Sequence, residues 1–169
     1  MKIVDQRYLA DRNRYCTEPC LLAILDLGHP VTAADMQRLR GELKNALPGL
    51  RQGRSLIGVV GEDADTPDTG LQLARLIQSV AIELHRLTGD DVMVGFVGRV
   101  PKMAGRYRLI LPFRCGTVAH AALTLAIDLV GALLDGRTFA LDEGLAELRR
   151  IAAANLPPAP PDNAIRIAA

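Results

Sequence analysis

Tryptophan is absent from this 169-residue chain, and aromatic residues make up only 4% of it. The core therefore has to be aliphatic, built from Leu, Ile, Val and Ala. Charge of one sign is also lacking: the formal balance is +1, and no run of five or six basic residues occurs. Bulk charge thus gives no indication of a nucleic-acid surface. Cysteine is sparse, with Cys16, Cys20 and Cys115 forming an odd set without a signal peptide. That pattern predicts free thiols in a reducing, cytoplasmic setting. The longest apolar run, residues 119–134, contains Asp128 and falls short of a membrane span, so no membrane partner is expected. The sequence has no G-x-x-x-x-G-K-[ST], no strand-anchored G-x-G-x-x-G and no G-x-S-x-G elbow. ATP, NAD and serine-hydrolase chemistry by those routes are excluded, and no cofactor is expected.

What is present is a hydrophobic fraction of 49%, which rules out a disordered chain, and enough length for one domain with a real core. Residues 19–27 (PCLLAILDL) form a short apolar run closed by Gly28, His29 and Pro30, the signature of a strand and turn. Thr32 with Asp35 predicts a capped helix running through Met36, Leu39, Leu43 and Ala46 and stopping before Pro48. Residues 56–60 read as a second strand, and 61–70 (GEDADTPDTG) as an acidic loop. In the next segment Leu73, Leu76, Ile77, Val80, Ala81, Leu84 and Leu87 recur every three or four residues up to Gly89, a C-cap position, which marks a helix. Residues 92–100 and 107–113 predict two strands joined at Gly105, with Pro112 marking an edge or an end. Helices follow over 117–134 and 142–154. Leu156 to Asn163 (LPPAPPDN) is a proline-rich breaker. This pattern predicts an α+β fold, a two-layer sandwich with a mostly antiparallel sheet against two long apolar helices. The expected organisation is one domain over 1–155 and a linker over 156–169.

Few constellations carry chemistry. Cys16, Cys20 and His29 make a weak metal set, because a C-x-x-x-C pair without a second pair lacks ligands. Small apolar side chains on a strand account for those cysteines better. His85 and His120 stand alone on helix faces, and no metal site is assigned. Arg75, Gln78, Ser79 and Glu83 recur at three- and four-residue spacing, so on a helix they would share one side. A partly solvated helix face is the plain account of them.

Several segments, in order, resemble the N-terminal domain of cyanophycin synthetases. They are RNRYCTEPCLLAILDLG (12–28), VAIELHRLTG (80–89), GFVGRV (95–100), GRYRLILPF (105–113) and PPDNAIRIAA (160–169). Such enzymes build an aspartate–arginine polymer with downstream ATP-grasp and Mur-ligase-like domains. In that family the helix often begins H-x-x-E-H, an inverted-zincin arrangement in which two histidines hold Zn²⁺ and the Glu activates water. That motif falls on Arg75, Leu76, Ile77, Gln78 and Ser79, so both histidines and the general base are replaced. The resemblance therefore implies a lapsed metallohydrolase-like groove, with no catalytic residue in this chain. It also implies a binding surface for an aspartate/arginine polymer or an acidic/basic peptide. Arg75, Gln78, Ser79, Glu83, Arg99, Arg106 and Arg108 would serve it, beside Glu62, Asp63 and Asp65 of the acidic loop. On this reading the chain is the non-catalytic part of an ATP-dependent ligase, cut from a longer protein. A second reading is a stand-alone interaction module, in which the apolar excess of helix 117–134 implies a homo-oligomer interface. A third, an enzyme with a rebuilt metal-free site, lacks a visible nucleophile–base pair.

Overall fold

A computed structural model of the chain describes residues 1–60 and 68–156. In chain order the elements are β1 (Lys2–Leu9), β2 (Cys20–Asp26), α1 (Ala33–Ala46), a 3₁₀ turn (Pro48–Gln52), β3 (Leu56–Val59) and α2 (Thr69–Arg86). Then come β4 (Val94–Arg99), β5 (Arg106–Pro112), α3 (Gly116–Leu134) and α4 (Leu141–Asn155). The strands form one five-stranded sheet in the order β1-β2-β5-β4-β3. Every pairing is antiparallel except β3 with β4, which are parallel because α2 carries the chain back across the sheet. The α+β class expected from the sequence is what the chain adopts.

The predicted strands and helices are all found, most ends moved by a residue or two, while α2 starts at Thr69, inside the segment expected to be loop. Pro112 ends β5, which is the central strand, so it marks an end and not an edge. Gly105, at φ +74°, makes the β4–β5 turn, and Gly89, at φ +87°, closes the turn after α2. Thr32 and Asp35 form a reciprocal capping box on α1, each backbone N–H donating 3.1 Å to the other's side-chain oxygen. One strand was not expected. β1 pairs along the whole of β2, with an irregularity between Ile3 and Asp5.

The registers sort the strand residues onto two faces. Leu21, Ala23 and Leu25 of β2 stand with Tyr107, Leu109 and Leu111 of β5 and with Val97 of β4, and all are buried on the side that the helices cover. Leu22, Ile24, Asp26, Arg106, Arg108 and Phe96 alternate onto the other side. Both α2 and α3 lie on the sheet, α1 touches both of them, and α4 lies against α3.

The length of α3 is a correction. With 19 residues it is long and apolar enough to cross a bilayer by length and composition, contrary to the short run expected. Its neighbours are α2, α4, α1 and β2, and Val118, Ala119, Ala122, Leu123, Ala126 and Val130 are fully buried among them. Ala121, Leu125, Leu133 and Leu134 of the same helix are half-buried.

Candidate functional site

The polar residues of α2 do not share one side. Arg75 is exposed and Ser79 half-exposed, with the Ser79 hydroxyl donating to the Arg75 carbonyl at 3.0 Å. Both line a shallow cleft with Arg40, Ser55, Ile57 and Gln72, between the helix and the β3 edge. Glu83 lies further along that side, but only 11% of its side chain is exposed. Its carboxylate accepts from Arg86 at 2.9 Å and lies across the 3₁₀ turn. A Cβ on Gly49 would fall 1.7 Å from Glu83 Oε1, so the turn needs a glycine there for the carboxylate to fit.

Gln78 is a correction. Its side chain is fully buried under the sheet, where Nε2 donates to the Ile110 carbonyl of β5 at 2.9 Å and Oε1 has no partner among the described residues. It cannot touch a ligand on the Arg75 side. At 100° per residue, Gln78 and Glu83 stand about 140° apart around the helix axis, although each is three or four residues from another member of the set. The position expected to stand in for the motif's general base thus faces the sheet in this chain.

The arginines expected at the site gather elsewhere, at the end of the sheet where β4 turns into β5. Arg99 and Tyr107 are register partners and point to the helix side. Both reach Asp68, the N-cap of α2: Arg99 Nε donates to Oδ2 at 3.0 Å and the Tyr107 hydroxyl to the same oxygen at 2.9 Å. The other oxygen, Oδ1, accepts the Gly70 N–H at 2.8 Å. Gly70 has to be a glycine, because a Cβ would sit 2.1 Å from the Tyr107 hydroxyl oxygen. On the opposite face Arg106 Nε donates to Asp26 Oδ2 at 3.0 Å, and Arg108 donates to the Arg99 carbonyl at 3.0 Å. Two clefts meet at Asp68 and Tyr107. One, of about 390 Å³, runs past Asp26, His29 and Gly70, and the other past Arg99, Met103 and Arg106.

Electrostatics follow this geometry. Burial is the largest single influence on the Asp68 carboxyl and pushes it upward. Hydrogen bonds from Arg99, Tyr107, Gly70 and Leu71 together outweigh burial and hold it below the usual carboxylate range. Burial, and then the bond to Asp68, push the Tyr107 hydroxyl up to about 12. Asp26 is held low by its bond from Arg106, helped by the Gly28 N–H. Each carboxylate here is ionised at neutral pH and matched to a guanidinium. Glu62, Asp63 and Asp65 lie outside the described residues, as does the 160–169 segment.

At the far end of α2, His85 and Asp90 are both fully buried. Nε2 of the imidazole lies 3.1 Å from Asp90 Oδ2 but is not aligned for a hydrogen bond. Desolvation pulls His85 down, against the opposing pull of Asp90. Among the described residues, no three His, Cys, Asp or Glu side chains gather as a metal-ligand set. Asp26, Asp68 and Tyr107 were not singled out from the sequence. A signal for Asp68 was present, since an Asp directly before a helical run is an N-cap pattern.

A five-stranded sheet covered by helices on one side, with matched carboxylates and guanidinium groups around its hairpin end, defines an α+β domain. The family model of the cyanophycin synthase-like N-terminal domain matches residues 22–135, and the chain belongs to that family. No individual curated protein matches it.

Proposed function

We propose that this domain anchors a peptide or polymer bearing both carboxylates and guanidinium groups, for ligase domains that act elsewhere in a longer protein. The observation that carries the reading is the hairpin end, where Asp26–Arg106 and Asp68–Arg99 alternate in sign around two connected clefts. A ligand that displays both charges exchanges ion pairs with such a surface without leaving a charge unmatched. Arg108 adds to the surface on the sheet side, and Arg75 offers a further cation in the separate cleft beside β3. Gln78 has no part in it, and Glu83 serves the fold through Arg86. The family makes a cytoplasmic aspartate–arginine polymer the natural candidate.

Calorimetric titration of the chain with short β-aspartyl-arginine oligomers tests this, at low and raised salt, beside Arg75→Ala and Arg108→Ala. Salt-sensitive binding, weakened several-fold by the substitutions, is the expected result. No heat at millimolar oligomer would rule the anchoring role out.

A second reading, an interaction or oligomerisation module without polymer binding, draws on another observation. Leu56 is 63% exposed at the β3 edge and pairs in register with the exposed Val94, next to Met93. A mass that rises with concentration in sedimentation velocity, and returns to that of one chain on Leu56→Lys, together with silent calorimetry, would favour it.

A further inference from the structure

We infer that Cys16 and Cys20 are a dithiol pair that closes to a disulfide on exchange with a small-molecule disulfide. The inference stands apart from the polymer reading and rests on the loop that precedes β2. Asn13 organises that loop. Its Oδ1 accepts the backbone N–H groups of Tyr15 and Cys16 at 2.9 and 3.2 Å. Its Nδ2 donates to the carbonyls of Ala10 and Glu18 at 2.9 and 3.2 Å. The same Nδ2 lies 3.7 Å from the Cys16 sulfur and 3.4 Å from the Cys20 sulfur, so both sulfurs gather around one amide. The chain is pinned on both sides of the pair. Arg12 N–H donates to the Thr17 carbonyl at 2.9 Å, and Phe113 N–H, beyond β5, to the Pro19 carbonyl at 3.0 Å.

The two sulfurs differ as an attacking and a resolving thiol should. Cys16 is half-buried and its S–H points to the Glu18 carbonyl at 3.3 Å, whereas Cys20 is fully buried as the first residue of β2. Burial, and then the adjoining Cys16 thiol, push Cys20 up to about 12, so Cys20 keeps its proton at neutral pH. In the step, the Cys16 thiolate attacks one sulfur of the small disulfide. That S–S bond breaks, a mixed disulfide forms on Cys16, and one small thiolate leaves. Cys20 then gives up its proton to solvent and attacks the Cys16 sulfur, and the second small thiolate leaves. Two protein thiols are oxidised and one small disulfide is reduced to two thiols. The bond would tie down Glu18 and Pro19, which wall a cleft with Asp91, Phe113 and Arg114.

The test treats the reduced chain with glutathione disulfide, quenches in acid and maps the peptides by mass. The expected product has lost two hydrogens and carries a Cys16–Cys20 link, with no glutathione left on either residue. The conversion of the mixed disulfide should quicken as pH rises from 7 to 9, as the Cys20 thiolate fraction grows. Cys20→Ser should stop at glutathione on Cys16, and Cys16→Ser should leave Cys20 at least about tenfold slower to react until urea is added. A link to Cys115, an unmodified Cys16, or glutathione that stays on Cys16 of the unaltered chain would each overturn the inference. Because the unaltered chain decides the matter, a variant that fails to fold does not blunt the test.

Discussion

Helices α2 and α3 are nearly equal in length and pack side by side, yet they solve different problems. Between α2 and α4, α3 buries an almost wholly aliphatic surface and meets a polar partner at its last turn, where Arg38 of α1 donates to the Leu133 and Leu134 carbonyls. Its partner α2 buries Gln78, Glu83 and His85 among its leucines and caps its N-terminus with Asp68, which Arg99 and Tyr107 also hold. One helix is an interior element. The other ties the sheet, the 3₁₀ turn and the hairpin together through polar contacts that each have a required geometry. Polarity on a helix is thus no guide to exposure when the neighbouring backbone supplies partners.

The sharpest way to break this contrast is Gln78→Glu. It would place a carboxylate against the Ile110 carbonyl at a fully buried position. The expected cost at neutral pH is about 4 kcal/mol, read as a fall in urea midpoint. Burial raises the folded-state pKa of the introduced carboxyl above its unfolded value. The penalty should therefore be small below about pH 4, where the acid form can donate to the carbonyl, and grow as pH rises. A flat difference from wild type across that range would contradict the buried placement. In α3, Leu123→Ala should cost about 3 kcal/mol with no pH dependence, because only packing is lost. Asp68→Asn comes next, at about 1–2 kcal/mol near neutrality. Asp68 has a lowered folded-state pKa, so its contribution is present above about pH 4 and is lost as pH falls further. The variant should accordingly show a shallower acid limb in stability. Arg75→Ala should move stability by less than about 0.5 kcal/mol while weakening oligomer binding. A larger loss of stability would place Arg75 in the fold instead.

Most elements could be read from the sequence because their local signals agree. The Thr32–Asp35 cap, the apolar spacing of Leu73 to Leu84 and the turn at Gly105 each name one structure. β1 was hidden for a physical reason. Lys2, Asp5 and Arg7 face outward, but Ile3, Gln6 and Tyr8 on the inner side are not uniformly apolar, and the irregularity at Val4 breaks the alternation. The family match over residues 22–135 also leaves this strand outside. Of the site, Arg99, Arg106 and Arg108 were found to lie at one end of the sheet, though on both of its faces. Their acidic partners were harder to see. Asp26 and Asp68 are distant in sequence from the arginines they bind, and nothing local marks such a pairing. Gln78 misled because three- and four-residue steps taken in succession walk around a helix.

The central pairing of the sheet has a consequence for how the protein comes into being. β2 pairs with β1 on one side and on its inner side with β5, where Cys20 meets Pro112. A ribosome delivers β1 and β2 early, and they must wait for β5, while β4 and β5 pair as soon as their short turn has emerged. Leu21, Ala23 and Leu25 meanwhile have no lasting cover, so nascent chains stalled before β5 are the species most prone to clump. Pulse-labelled hydrogen exchange during refolding should show amides of β4 and β5 protected before those of β1. The reverse order would mean that the amino-terminal hairpin nucleates by itself.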